Sequence, residues 1–173
     1  MADFTWSYSS LKQYQNCPKQ YHEIKVLKNY IVKENEAMRY GTEVHEALEL
    51  YVKEGKELAK NYQRFKQFVD PLIKIKGDKY PEHKMALTYN KEPCDFDSDT
   101  RWVRGIADLL IVDGTHAFVV DYKTGSKKYP DPKQLRLMSL MVFSIFPDVQ
   151  KVKGALFFLM HNSIVEETYF RKD

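Results

Sequence analysis

Gly105-Ile106-Ala107-Asp108-Leu109-Leu110-Ile111-Val112-Asp113-Gly114-Thr115-His116-Ala117-Phe118-Val119-Val120-Asp121-Tyr122-Lys123 decides the fold. Residues 102–112 and 116–122 are rich in β-branched and aromatic side chains, and Asp113-Gly114 between them favours a tight turn. The stretch predicts a β-hairpin. Two carboxylates stand inside it, Asp108 within an apolar run and Asp121 at the end of another. Such burial is costly unless something compensates the charge. With a two-residue turn at Asp113-Gly114, residue 112 pairs with 115. Asp108 then lies opposite Val119, with Asp121 its diagonal neighbour on the same face. A four-residue turn would instead set Asp108 directly opposite Asp121. Any loop of even length keeps the two together, and an odd one separates them. Lys123, two residues on, shares the face of Asp121.

Working outward, residues 85–89 read as a strand and 90–100 as a polar loop. Downstream, Asp131 is a natural N-cap with Pro132 at the first helical position, opening a helix to about Phe146. That helix is apolar almost all round and is expected to be buried. Pro147 stops it, and 152–160 and 164–170 close the chain as strands. Upstream, Ser7 or Ser9 caps a short helix that ends at Pro18. Ala37, Tyr40, Val44, Leu48 and Tyr51 recur at helical spacing over 37–52, and 56–72 reads as a further helix. The expected organisation is one domain over 1–173, mainly helical over 1–76 and with a sheet-containing core over 80–173.

Hydrophobic residues at 43% and charged residues at 29% match a globular chain rather than a disordered one. The net charge of +3 permits a nucleic-acid partner without requiring one. Twelve tyrosines and ten phenylalanines are read chiefly as core, with some available for stacking on bases. Cys17 and Cys94 are too few for a disulfide framework or an all-cysteine cluster. No signal peptide and no apolar run of membrane-spanning length is present, so a soluble intracellular protein without a membrane partner is expected.

Two carboxylates and a lysine at a strand end suit phosphate chemistry. The carboxylates can hold a hard cation such as Mg²⁺ or Mn²⁺, which would polarise a phosphoryl group, and the lysine can stabilise developing charge. Equally, Asp121 and Lys123 could form a structural ion pair. His45 sits at the edge of the apolar stripe of its helix, where its imidazole could join the carboxylates or be a satisfied core-edge side chain. Gly41, one turn earlier, leaves room for a close approach. Glu82 could be an accessory acid or a surface residue.

Gly41-Thr42-Glu43-Val44-His45, Gly105-Ile106-Ala107-Asp108, Asp121-Tyr122-Lys123-Thr124-Gly125 and Gln134-Leu135, in that order, resemble the RecB-like branch of the PD-(D/E)XK nucleases. The segment Ser9-Ser10-Leu11…Tyr14…Cys17-Pro18…Tyr21 is similar to that family's entry segment. The resemblance implies a restriction-endonuclease-like α/β fold, a central mixed β-sheet flanked by helices with an N-terminal helical part. It implies metal ligation by His45, Asp108, Asp121 and the Tyr122 carbonyl, Lys123 as the catalytic lysine, and Gln134 as a DNA- or active-site-contacting residue. Lys127, Lys128 and Lys133 lie where a DNA strand could pass. The implied activity is Mg²⁺- or Mn²⁺-dependent cleavage of DNA, as an exonuclease on ends or single strands in recombination, replication or repair. A structure-specific endonuclease and a non-catalytic DNA-binding module are the alternatives. Two positions depart from the family: Met138 stands where a tyrosine often follows the glutamine, and no cysteine beyond Cys94 could complete an iron–sulfur cluster, so none is expected. Asp95-Phe96-Asp97-Ser98-Asp99 lacks the later residues of a calcium loop and reads as a solvated acidic loop. Cys17 is expected to be a core residue at a helix end.

Overall fold

A computed structural model describes residues 5–126 and 131–172. The chain enters through α1 (Tyr8–Asn16), where the Ser7 hydroxyl accepts from the Ser10 N–H in a reciprocal capping box. The short α2 (Pro18–Tyr21) and a π-helical turn (His22–Val26) follow. Helix α3 (Glu36–Glu54) begins where the Asn35 side chain accepts from the Met38 N–H at 2.9 Å, and it ends at Gly55 in the left-handed conformation. The helix expected over 56–72 forms only in its second half. Leu58 and Tyr62 are buried in non-helical chain, a 3₁₀ turn spans Gln63–Phe65, and α4 is Lys66–Lys74.

The sheet has five strands in the order β1-β2-β3-β4-β5. Strands β1 (Asp78–Thr88), β2 (Arg101–Asp113) and β3 (His116–Lys123) form an antiparallel meander. Helix α5 (Lys133–Ile145) then carries the chain over the sheet to β4 (Lys151–Phe158), which pairs parallel to β3, and β5 (Ser163–Phe170) pairs antiparallel to β4. The sheet is therefore mixed, as expected. One face buries Leu109, Ile111, Val120 and Phe157 against α3 and α4. The other packs Leu110, Val119 and Val152 against Met138, Met141 and Val142 of α5. Burial at about 1.5–3 kcal/mol per large apolar side chain holds the helices on both faces.

Two further expectations need correction. Helix α5 is not buried all round, since Lys133, Arg136 and Leu140 are exposed along one stripe at helical spacing. Asp131 does serve its start, accepting from the Lys133 N–H at 3.1 Å, although the helix begins after Pro132. Cys17 is exposed rather than in the core, and its Sγ meets the Gln20 N–H at 3.4 Å at the start of α2. That use as a polar cap holds it at the surface.

Glycine lets α5 dock closely. A Cβ at Gly154 would stand 3.0 Å from Leu135 Cβ, so the bare backbone of β4 admits the first turn of α5. Gln134 is thereby brought beside the end of β3.

Candidate metal centre

The centre lies where the β2–β3 ladder stops. Paired residues run from Asp113↔His116 to Leu109↔Val120, so the two-residue loop is Gly114-Thr115 and not Asp113-Gly114. Gly114 takes φ +56 in that loop, which suits a hairpin turn. The next rung would set Asp108 opposite Asp121, the alternative register of the two weighed from sequence. At that rung Tyr122 N–H donates to Asp108 Oδ2 at 2.5 Å. The carboxylate thus takes a main-chain donor that a continuing strand would have used. Beyond it the face alternation breaks, because Leu110 and Ala107, three apart, enter the same core cluster.

Strand β1 bends at the same level. Pro81 pairs with Leu109 and His83 with Ala107, which sets Glu82 across from Asp108. Glu82 has φ +48, a left-handed conformation that costs a non-glycine residue about 1–2 kcal/mol. Glu82, Asp108 and Asp121 therefore form one row across three adjacent strands. His45 closes the row from α3: its Nδ1 is 3.2 Å from Asp108 Oδ1, and its Nε2 is 2.9 Å from the Tyr122 carbonyl oxygen. Gly41 permits this approach, since a Cβ there would meet Thr124 Oγ1 at 3.1 Å.

Ligating atoms of His45, Glu82 and Asp108 all lie within 4.8 Å of one another. Asp121 borders this group and is held from elsewhere. Lys123 Nζ lies 2.6 Å from its Oδ2, and Gln134 Nε2 donates to its Oδ1 at 2.5 Å. Gln134 Oε1 in turn accepts from Lys123 Nζ at 2.9 Å. The Lys123 ammonium is thus the partner of the buried Asp121 Oδ2.

The titration behaviour follows from crowding acids in a partly dry place. Burial pushes the Glu82 carboxyl up to about 7, helped by the charge of Asp108 and opposed by His45. Asp121 is likewise raised, by burial and then by Asp108, with Lys123 pulling against them. For His45, burial disfavours the cation, but the hydrogen bond and charge of Asp108, with Asp121 and Glu82 behind them, hold its pKa above the ordinary value. A cation among these acids would offset the cost of ionising Glu82 and Asp121. The donors are carboxylate and carbonyl oxygens with one imidazole, the set preferred by hard divalent ions rather than thiolate-seeking ones. The residues fit a divalent metal.

Sequence reasoning placed His45, Asp108, Asp121, Lys123, Gln134 and the Tyr122 carbonyl, and the fold brings all of them to one place. It left Glu82 undecided, because that residue precedes the stretch that read as strand. Lys127 and Lys128 lie outside the described residues. Lys133 is exposed on α5.

The sequence profile of the PD-(D/E)XK nuclease superfamily matches residues 5–168, and the chain belongs to that superfamily of metal-dependent nucleases. No curated protein matches the sequence significantly. Among solved structures, one titled "Crystal structure of SSO0001" is similar over 96% of this chain and 66% of its own length, with 10% identity and a TM-score of 0.38. The chain thus spans just under two thirds of that structure. Among the described residues no helix is long and apolar enough to cross a membrane.

Proposed function

We propose that this chain is a DNA nuclease of the RecB-like branch, hydrolysing phosphodiester bonds with Mg²⁺ or Mn²⁺ held by His45, Asp108, Asp121 and the Tyr122 carbonyl, with Glu82 as a further ligand. The observation that carries the proposal is the row of acids across β1, β2 and β3, closed by an imidazole on one side and a lysine on the other. When bound, the cation supplies Lewis-acid activation of the phosphoryl group. Asp108 is fixed for this by the Tyr122 N–H and by His45, so its free lone pairs keep one direction. Lys123 brings a fixed ammonium to the place where charge develops on the phosphorus oxygens. Gln134 spans Lys123 and Asp121 and holds both in register.

A centre where β2 and β3 part, beside a cleft, is read as favouring a single strand or a DNA end over the middle of a duplex. An exonuclease in recombination, replication or repair is the best-supported role. A non-catalytic binding module is disfavoured, because the sequence keeps Asp108, Asp121 and Lys123 together. The test uses end-labelled single- and double-stranded DNA, linear and circular, with Mg²⁺, Mn²⁺ or EDTA. Shortening of linear strands with metal, none with EDTA and resistance of circles would support the proposal. Linearisation of circles would replace the exonuclease with an endonuclease.

A further inference from the structure

Two clefts open beside the acid row, and their electrostatics differ. One, of about 630 Å³, is bounded by His45 with Glu46, Glu49 and Glu82. A polyanion is repelled from such a wall. The other, of about 690 Å³, runs from Lys123 and Gln134 to Lys12, Arg104 and Phe96. Asp131 also lines it, but its Oδ1 accepts the Lys133 N–H, and Lys12 and Lys133 offset its charge.

Phe96 is the unusual member. Its loop is tied back to β1, with the Cys94 N–H donating to the Ala86 carbonyl and Leu87 bridging Pro93. Burial alternates along the loop: Asp95, Asp97 and Asp99 are exposed, while Phe96 and Ser98 are half-buried. The aspartates are thus left to solvent, and the ring is set against two cations. Lys84 Nζ stands 5.4 Å from the ring centroid and Arg104 Cζ 5.2 Å. Among the described residues, neither of them is in an ion pair. An aromatic ring with unneutralised cations beside it, in a cleft leading to the acid row, has the makeup of a single-strand binding surface, where bases stack and phosphates are neutralised.

We propose that Phe96 is a stacking platform for an unpaired base, with Arg104 and Lys84 neutralising the adjacent phosphates, so that the cleft delivers a single strand to Lys123. This rests on the nuclease proposal for the direction of the strand, but the binding it describes needs no cleavage. The aspartates of 95–99, read from sequence as a solvated loop, then have a place on the outer side of the ring's support.

The test is fluorescence anisotropy of the full chain in EDTA with a labelled twelve-nucleotide oligothymidylate and a twelve-base-pair duplex. Phe96→Ala is expected to weaken oligothymidylate binding about tenfold or more, while Phe96→Tyr stays near the parent and duplex binding changes little. In a salt titration, Arg104→Gln with Lys84→Gln should each reduce the slope of log affinity by roughly 0.7. Thermal melting of each variant separates lost binding from lost fold, and Phe96→Leu, which keeps apolar bulk without a ring and should lose affinity as Phe96→Ala does, serves where Phe96→Ala does not fold. Unchanged oligothymidylate affinity in a folded Phe96→Ala protein would overturn the proposal, as would an equal loss for both probes. Parental binding through Phe96 without any cleavage in Mn²⁺ would leave the cleft standing and sink the nuclease. Cleavage that ignores Phe96 would do the reverse.

Discussion

Replacing Glu82 by Gln should stabilise the metal-free protein at pH 8 and do much less at pH 5. Glu82 ionises at about 7 in the folded chain, against 4.5 when unperturbed, because it is half-buried beside Asp108. Between those two values the native state binds more protons than the unfolded state. Stability therefore falls as pH rises through that window, and the full cost is present above about 7. An undiminished shift of this size is worth about 3 kcal/mol. Solvent around a half-exposed carboxylate screens that to about 1 kcal/mol. For a chain of this length such a change moves the melting midpoint by about 2–4 °C. The assay is circular-dichroism melting of parent and Glu82→Gln in EDTA at both pH values, repeated with Mn²⁺. The variant should melt higher at pH 8, with most of the gap gone at pH 5. Mn²⁺ should raise the parent more than the variant, since binding to the native state stabilises by mass action. A gap independent of pH, or a variant less stable at pH 8, would refute the account of Glu82 as a crowded acid awaiting a cation.

Other substitutions separate the roles of the remaining residues. Lys123→Met should slow cleavage by about 10²–10³-fold while calorimetry still shows Mn²⁺ binding; loss of the metal instead would make Lys123 a structural counter-ion. Gly154→Ala pushes a methyl to 3.0 Å from Leu135, which should cost about 1–3 kcal/mol and slow cleavage by moving Gln134. Parental melting and rate together would show that α5 has slack there. The Cys17→Ser, Cys94→Ser double variant should cut at near-parental rates. Visible absorbance in anaerobically purified protein, lost with activity in that variant, would point to a cluster after all.

The hairpin was legible because its chemistry is local. An even loop sets Asp108 opposite or diagonal to Asp121 whichever residues turn, so the two remain neighbours along the hairpin although the turn lies one residue later. The turn itself moved because Gly114, with φ +56, occupies the first loop position rather than the second. Glu82 carried no comparable sign. Its place depends on β1 reaching back to Asp78 and on a left-handed residue that no sequence pattern announces, since glutamate rarely adopts it. Residues 56–62 misled for a different reason. Leu58 and Tyr62 are spaced as on a helix face and are buried, but long-range packing onto the α3–α4 cluster provides that burial without helical backbone. Gln134 was placed by resemblance alone, and only the fold shows it bonded to both Asp121 and Lys123.

The central claim is that a divalent cation on these acids cuts DNA, and Asp121→Ala tests it most directly. The measurement is the rate of release of labelled nucleotide from linear single-stranded DNA in saturating Mn²⁺, for parent and variant of matched melting temperature. Asp121 is buried beside Asp108 and paired with Lys123, whose side chain keeps its bond to Gln134, so its removal relieves acid repulsion and should leave the fold intact. The account predicts nucleotide release by the parent, none in EDTA, and none by the variant. Equal release by a folded Asp121→Ala protein would contradict it.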